Sequence, residues 1–188
     1  TFGALGHSLT LYATLEALHL GADLCAMDRM GPTRQIRMLQ DQSVSVLYAT
    51  PTQLRLLISG ARAGQVSTIQ SVRHVFTGGG KLDHGLQGDL VTLFPQAQVH
   101  EFFGASETSF IALSDANTPQ GAVGRPYPGV ALRIGKTGQL LPGQTGEIWV
   151  SSPYLFDGYA LGSAQETRWD GAFLSIGEMG YVDAFRQI

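Results

Sequence analysis

Residues 75–82 of this chain read Val75-Phe76-Thr77-Gly78-Gly79-Gly80-Lys81-Leu82, an apolar β-forming run that gives way abruptly to three glycines. Glycines directly after a strand let the backbone turn tightly and approach a ligand closely. The segment is not a Walker phosphate loop, because that motif needs glycine where Val75 stands and serine or threonine where Leu82 stands. The sequence therefore predicts a strand followed either by a simple strand-to-helix turn or by a ligand-contacting loop.

On both sides of these glycines, helical and strand patterns alternate up to about residue 113. This alternation favours an α/β fold, a mostly parallel sheet with flanking helices. A buried helix is expected to begin near Ser8, Pro51 suits the first turn of a later helix, and Asp83 can cap another. The predicted helices are 8–20, 32–42, 51–63 and 83–94, and the predicted strands are 44–48, 71–77 and 98–103.

From about Pro119 onward, glycine and proline break the chain into short pieces, which is typical of a small antiparallel β subdomain. Strands are predicted at 131–134, 146–150 and 173–175, with turns at Thr137-Gly138 and Pro142-Gly143. We therefore divide the chain into an α/β subdomain, residues 1–118, and a small β-rich subdomain, residues 119–188.

The composition limits the partners that are expected for the protein and the cellular compartment in which it is expected. Charged residues make up 14% of the chain and the net charge is -3, so neither nucleic acid nor an anionic membrane surface is expected as a partner. The single Cys25 allows no internal disulfide, and the five histidines lack the spacing of a zinc site. His7 and Glu16 are among the polar residues that interrupt the apolar N-terminal stretch, so no membrane span is expected. A cytoplasmic location is predicted.

A second motif, residues 99–108, places an aromatic, a glycine, a hydroxyl and a carboxylate within a few residues of a strand. An aromatic ring can stack on a base, a hydroxyl can donate to a phosphate oxygen, and a carboxylate can hold Mg²⁺. These types suit a nucleotide site. The alternative is a strand end at which Ser106 or Thr108 caps a following helix.

With these motifs, the chain resembles the adenylate-forming superfamily of acyl-CoA synthetases and adenylation domains. Thr77 to Leu82 is similar to the family's S-G-G-A-P-L loop, and Phe103 to Glu107 to its Y-G-x-T-E motif. Three later segments resemble the G-S-V-G-R-P-x-P-G, G-E-I-W-V to G-Y and T-G-D-x-G-Y motifs; they are Gly121 to Ile134, Gly143 to Val150 with Gly158-Tyr159, and Phe173 to Tyr181. Five motifs occur in the family's order, and His7 resembles a histidine that precedes them.

The resemblance implies roles for particular residues. Gly78, Gly79 and Gly80 would border adenine and the acyl carboxylate. Phe103 would stack on adenine, with Gly104 beside it. Ser106 would bond the α-phosphate, and Glu107 would hold Mg²⁺. Glu178 would bind the ribose hydroxyls, although the family has the shorter aspartate there.

The implied reaction activates a carboxylic acid, with a fatty acid as the first choice, as acyl-AMP and then transfers the acyl group to CoA or to a carrier-protein thiol. The cofactors are ATP/AMP and Mg²⁺. Because the family's phosphate loop, ribose-binding arginine and catalytic lysine have no counterparts between Thr1 and Ile188, we expect a fragment that is inactive alone. Such a fragment is expected to expose apolar surface and to form homo-oligomers.

Two other functions compete with this one. Gly6-His7-Ser8-Leu9-Thr10 resembles the nucleophile elbow of an α/β-hydrolase, with His100 as a possible base, although Thr10 replaces the last glycine. The second alternative is a non-catalytic module derived from a synthetase, which would bind an adenylate or a partner chain without turnover. Lys81 and Glu178, which depart from the family's motifs, favour this alternative.

Overall fold

A computed structural model describes residues 1–119, 121–135 and 142–188. The chain divides into two compact units, Thr1–Glu101 and Phe102–Ile188. The subdomain boundary after residue 118 stays a prediction. The turn predicted at Thr137-Gly138 lies outside the described residues.

The first unit contains four helices whose starts follow from local sequence. They are α1 (Ser8–Leu20), α2 (Pro32–Asp41), α3 (Pro51–Ala63) and α4 (His84–Leu93). Thr50 caps α3 in a capping box with Gln53, and Pro51 takes the first helical position, where its missing N–H costs nothing. Asp83 accepts a hydrogen bond from Leu86 N and caps α4, as predicted.

A parallel sheet forms the centre of the first unit. Its strands are β1 (Val46–Ala49), β2 (His74–Thr77) and the first half of β3 (Gln98–Ala105), in that order. Ala49, Thr77 and Glu101 lie in register at its carboxyl edge. Alternate residues enter a core shared with α2, α3 and α4, whose fully buried members include Leu47, Val75, Leu39, Leu57, Leu90 and Phe94.

Helix α1 has the predicted bounds, but the expectation that it is buried is wrong. Only Thr10 and Ala13 are buried, whereas Leu11, Leu15 and Leu18 are 44%, 52% and 73% exposed. The helix is apolar on all sides, so its sequence does not mark a single core-facing stripe. Among the described residues, no helix is both long and apolar enough to cross a bilayer.

The second unit consists of short antiparallel strands. The second half of β3 pairs with β4 (Ser109–Leu113), which pairs with β5 (Arg125–Pro126). A second sheet contains β6 (Ala131–Ile134), β7 (Gly146–Ser151), β8 (Arg168–Asp170), β9 (Phe173–Ser175) and β10 (Met179–Gly180). Its strand order is β10-β7-β9-β8, with β6 paired to β7. The core of the unit includes Ile111, Ala112, Ile134, Ile148 and Val150.

The mixed α/β fold is confirmed, with one local correction. No helix follows Ser106 or Thr108, because the chain turns there and returns as β4. Thr108 accepts a hydrogen bond from Ala105 N at 3.0 Å and so closes this turn. The helix-capping alternative for these two residues is therefore wrong.

Candidate nucleotide site

The glycine loop, defined as Gly78 to Gly80, follows β2 at the carboxyl edge of the parallel sheet. Ligands of open α/β sheets bind at this edge. Gly79 has φ +74°, a left-handed conformation that side chains rarely adopt. A Cβ at Gly79 or Gly80 would meet Thr50 or Pro51 only at ordinary contact distances of 3.7 and 3.8 Å. The conformation of Gly79, more than crowding, therefore requires glycine.

A buried carboxylate that sequence reasoning missed stands beside this loop. Glu101 is 8% exposed and accepts hydrogen bonds at 3.0 Å from Lys81 Nζ and, through its other oxygen, at 3.0 Å from Leu82 N. A glutamate within a predicted strand of the sheet was the available signal, because such residues are rarely buried unless they are paired.

In the second unit, Phe103 and Glu178 line the same cavity, of about 260 Å³. Val123, Ile148 and Tyr181 are among its other lining residues. Phe103 is half-buried and contacts the core of the unit, whereas the side chain of Glu178 is exposed and its backbone carbonyl accepts from Ile148 N at 2.8 Å. The structure thus brings together two of the residues predicted from separate motifs, one aromatic and one acidic.

Gly104 has a structural requirement of its own. A Cβ there would lie 2.1 Å from Ser109 O, and the β3–β4 register shifts between Phe103 and Gly104. The close approach of the two strands is sufficient to explain this glycine. Its contact with a nucleotide stays a prediction.

Ser106 and Glu107 occupy the turn between β3 and β4. Ser106 is exposed, and Glu107 is half-buried. The Tyr159 hydroxyl donates a hydrogen bond to Glu107 Oε1 at 2.7 Å and lies 2.9 Å from Thr167 Oγ1. Phe156 N also donates to Glu107 O at 3.0 Å. The predicted metal ligand is therefore held by a segment distant in sequence.

The environment of Tyr159 favours its protonated form. The hydrogen bond with Thr167 lowers the pKa of Tyr159, but the hydrogen bond to Glu107, desolvation of the phenolate, and the negative charges of Glu107 and Glu166 together outweigh it. The net result is a pKa raised above its ordinary value. The phenol therefore remains a donor to Glu107 throughout the physiological pH range.

The residues of the proposed hydrolase site do not form a nucleophile elbow. Residues 1–7, all of them described, contain no strand, and Ser8 is the first residue of α1. His100 Nε2 lies 3.4 Å from His74 Nδ1, and its ring stacks on Phe76. The α/β-hydrolase reading is wrong, because an elbow requires a strand before the serine.

Comparison with known proteins identifies the family. The profile of the AMP-binding enzyme family matches residues 1–160. This chain belongs to the AMP-binding enzyme family. An uncharacterized acyl-CoA ligase of Bacillus subtilis, YhfT, is 32% identical over 96% of this chain and 37% of its own length. The Staphylococcus epidermidis protein named "Putative long chain fatty acid-CoA ligase VraA" is 31% identical over 96% of this chain and 38% of its own length.

Solved structures of the family share the fold. O-succinylbenzoate coenzyme A synthetase of Bacillus subtilis, in complex with ATP and magnesium ion, matches with a TM-score of 0.81 at 22% identity. The match covers 100% of this chain and 39% of that one. The chain described here thus spans less than two-fifths of the length of these curated relatives and of this structure.

The candidate site residues of this AMP-binding enzyme chain are of types that suit a nucleotide, which the family name implies, and Mg²⁺. The cavity of the second unit offers a flat ring and a carboxylate, which suit a base and ribose hydroxyls. As the predicted metal ligand, Glu107 would supply a carboxylate oxygen, the kind of ligand that Mg²⁺ prefers, and Mg²⁺ commonly takes only one or two protein carboxylates beside phosphate and water oxygens. The candidate Mg²⁺ site therefore needs no further acidic residue.

Proposed function

We propose that this chain is part of an ATP-dependent acid–thiol ligase that forms acyl-AMP. The observation that carries the proposal is the shared cavity of Phe103 and Glu178, the residues expected at adenine and at ribose. Membership of the AMP-binding enzyme family supports the use of ATP and AMP. The acid is proposed to be a fatty acid, because VraA is described as a long chain fatty acid-CoA ligase.

Each residue has a defined task in the proposed site. Phe103 stacks on adenine, Glu178 accepts hydrogen bonds from the ribose hydroxyls, and the backbone of the glycine loop borders the acyl carboxylate and adenine. The Ser106 hydroxyl donates a hydrogen bond to an oxygen of the α-phosphate. Glu107 holds Mg²⁺, which neutralises phosphate charge when it is bound.

The reaction proceeds in two steps. A carboxylate oxygen of the substrate attacks the α-phosphorus of ATP, and the bond to the leaving pyrophosphate breaks. The thiolate of CoA then attacks the acyl carbonyl carbon and AMP leaves. Charge is redistributed on phosphate oxygens in the first step, so the positions of Ser106 and Glu107 matter more than their basicity.

Acid-dependent exchange of pyrophosphate into ATP by the full-length protein tests this function. Wild-type exchange that is lost in Glu107→Gln and Ser106→Ala, but kept in Ser114→Ala, would support the ligase. Ser114 precedes a loop outside the motifs and serves as the matched control. Adenylate binding without any exchange would instead favour the non-catalytic module, to which Lys81 and the longer Glu178 point.

A further inference from the structure

Glu101 joins the two ends of the glycine loop. Its backbone is in register with Thr77, the residue immediately before Gly78, on the neighbouring strand β2. Its carboxylate binds Lys81 Nζ and Leu82 N, which immediately follow Gly80. One residue of β3 therefore fixes the chain directly before and directly after the three glycines.

The Glu101 carboxylate is both buried and hydrogen-bonded. The Glu101 side chain is 10% exposed, and each of its oxygens accepts a hydrogen bond from the segment after the loop. A buried carboxylate is costly unless it is paired and hydrogen-bonded, so removing either partner is unfavourable. Lys81 also cancels the negative charge that Glu101 would otherwise place beside the loop.

A loop of three glycines has unusual backbone freedom, and holding it in one conformation costs entropy on binding. Fixing both ends before the ligand arrives removes part of that cost, as preorganised polar groups do in binding and catalytic sites. We propose that Glu101, together with Lys81, is a positioning pair that holds the glycine loop in its nucleotide-binding conformation and keeps this region electrically neutral toward an anionic ligand. The inference rests on the proposed function.

Amide hydrogen exchange on the unliganded 188-residue chain tests the positioning directly. Glu101→Met removes both acceptors at similar length, whereas Glu101→Gln keeps one oxygen for Leu82 N. We expect faster exchange at Gly79, Gly80 and Leu82 in Glu101→Met, partial protection in Glu101→Gln, and unchanged exchange in β2 and α4. Glu16→Gln is the control; it alters a carboxylate of α1 that accepts a hydrogen bond from the Tyr48 hydroxyl of β1.

The affinities of the chain for AMP and for adenosine test the second claim of the proposal, that Lys81 neutralises the charge of Glu101. Lys81→Met leaves the Glu101 charge uncompensated, so it should weaken AMP binding about tenfold while leaving adenosine binding nearly unchanged, because bringing like charges together costs binding free energy. The double variant Glu101→Met/Lys81→Met should recover much of the AMP-to-adenosine ratio. A purely structural role would weaken both ligands equally.

The outcomes separate this inference from the proposed function. If wild type binds AMP, and neither variant changes loop exchange or the AMP-to-adenosine ratio, the positioning role is overturned. If wild type binds neither ligand, the proposed function fails for this chain. Amide hydrogen exchange of the glycine loop in Glu101→Met then decides the inference alone. Loss of protection confined to the loop would support the positioning pair, and unchanged exchange would overturn it.

Discussion

The Tyr159 hydroxyl donates a hydrogen bond of 2.7 Å to Glu107 Oε1, across 52 residues of sequence. Glu107 is the proposed Mg²⁺ ligand, and Tyr159 belongs to a different motif. The bond occupies one carboxylate oxygen and limits the rotation of the side chain. Groups that orient a metal ligand in this way tune its affinity for the metal without touching the metal itself.

Removing the Tyr159 hydroxyl should therefore weaken Mg²⁺ binding. In Tyr159→Phe we expect the apparent Mg²⁺ affinity, measured as the Mg²⁺ dependence of ATP binding, to fall about 10–100-fold. Tyr154→Phe removes a hydroxyl from a half-exposed ring outside this network and should have no effect. Equal Mg²⁺ dependence in the two variants would contradict the orienting role.

The same contact predicts how Tyr159 titrates. Because its pKa is raised, the phenol keeps its proton, and its bond to Glu107, above the ordinary tyrosine pKa of about 10. Any stability from this bond is present below the ordinary value and is lost as the pH rises through the raised one. Ultraviolet difference titration of wild type against Tyr159→Phe isolates this phenol. Glu107→Gln should lower its pKa, and an unchanged midpoint would argue against the contact.

Gly104→Ala should destabilise the second unit. The new methyl would lie 2.1 Å from Ser109 O, so the β3–β4 pair must move apart. Overpacking of this kind typically costs about 1–3 kcal/mol, measurable by chemical denaturation. Gly88→Ala, inside α4 with nothing within 4 Å, is the control and should stabilise by about 0.4–1 kcal/mol. Similar effects of the two changes would refute the proposed close approach.

The exposed leucines of α1 should promote self-association of the chain. Leu11, Leu15 and Leu18 lie at helical spacing and together present apolar surface to solvent. We expect light scattering to give a mass that rises with concentration, and the change Leu15→Lys/Leu18→Lys to reduce it. Leu56→Lys, at an exposed leucine of α3, controls for added charge. A monomer at high concentration would disprove this expectation.

Much of the fold could be predicted from the sequence because its signals are local. Thr50 and Asp83 are residue types that cap helices, and Pro51 suits the first helical turn. Both helices that they predict are confirmed. The short strands β4 and β8 were missed, since three to five residues carry too little periodicity to stand out. The burial of α1 was predicted wrongly, because a uniformly apolar helix does not indicate which face contacts the protein.

Less of the candidate site than of the fold could be predicted from the sequence. The resemblance to the family's motifs suggested Phe103, Glu107 and Glu178, and the structure places the first and last in one cavity. The supporting contacts could not be foreseen, because Glu101 with Lys81 and Tyr159 with Glu107 become neighbours only through tertiary packing. Side-chain partnerships across long separations carry no periodic signal in a single sequence.

The central claim is that this chain carries an adenylate site built on Phe103. Calorimetric titration of the chain, in the presence of Mg²⁺, with a non-hydrolysable acyl-adenylate analogue tests it most directly. Phe103→Ala and Glu107→Ala are the disrupting variants, and Phe156→Ala tests whether any aromatic truncation has the same effect. The account predicts saturable binding by wild type that both disrupting variants lose and Phe156→Ala retains. Absence of wild-type binding, or equal binding by Phe103→Ala, would contradict it.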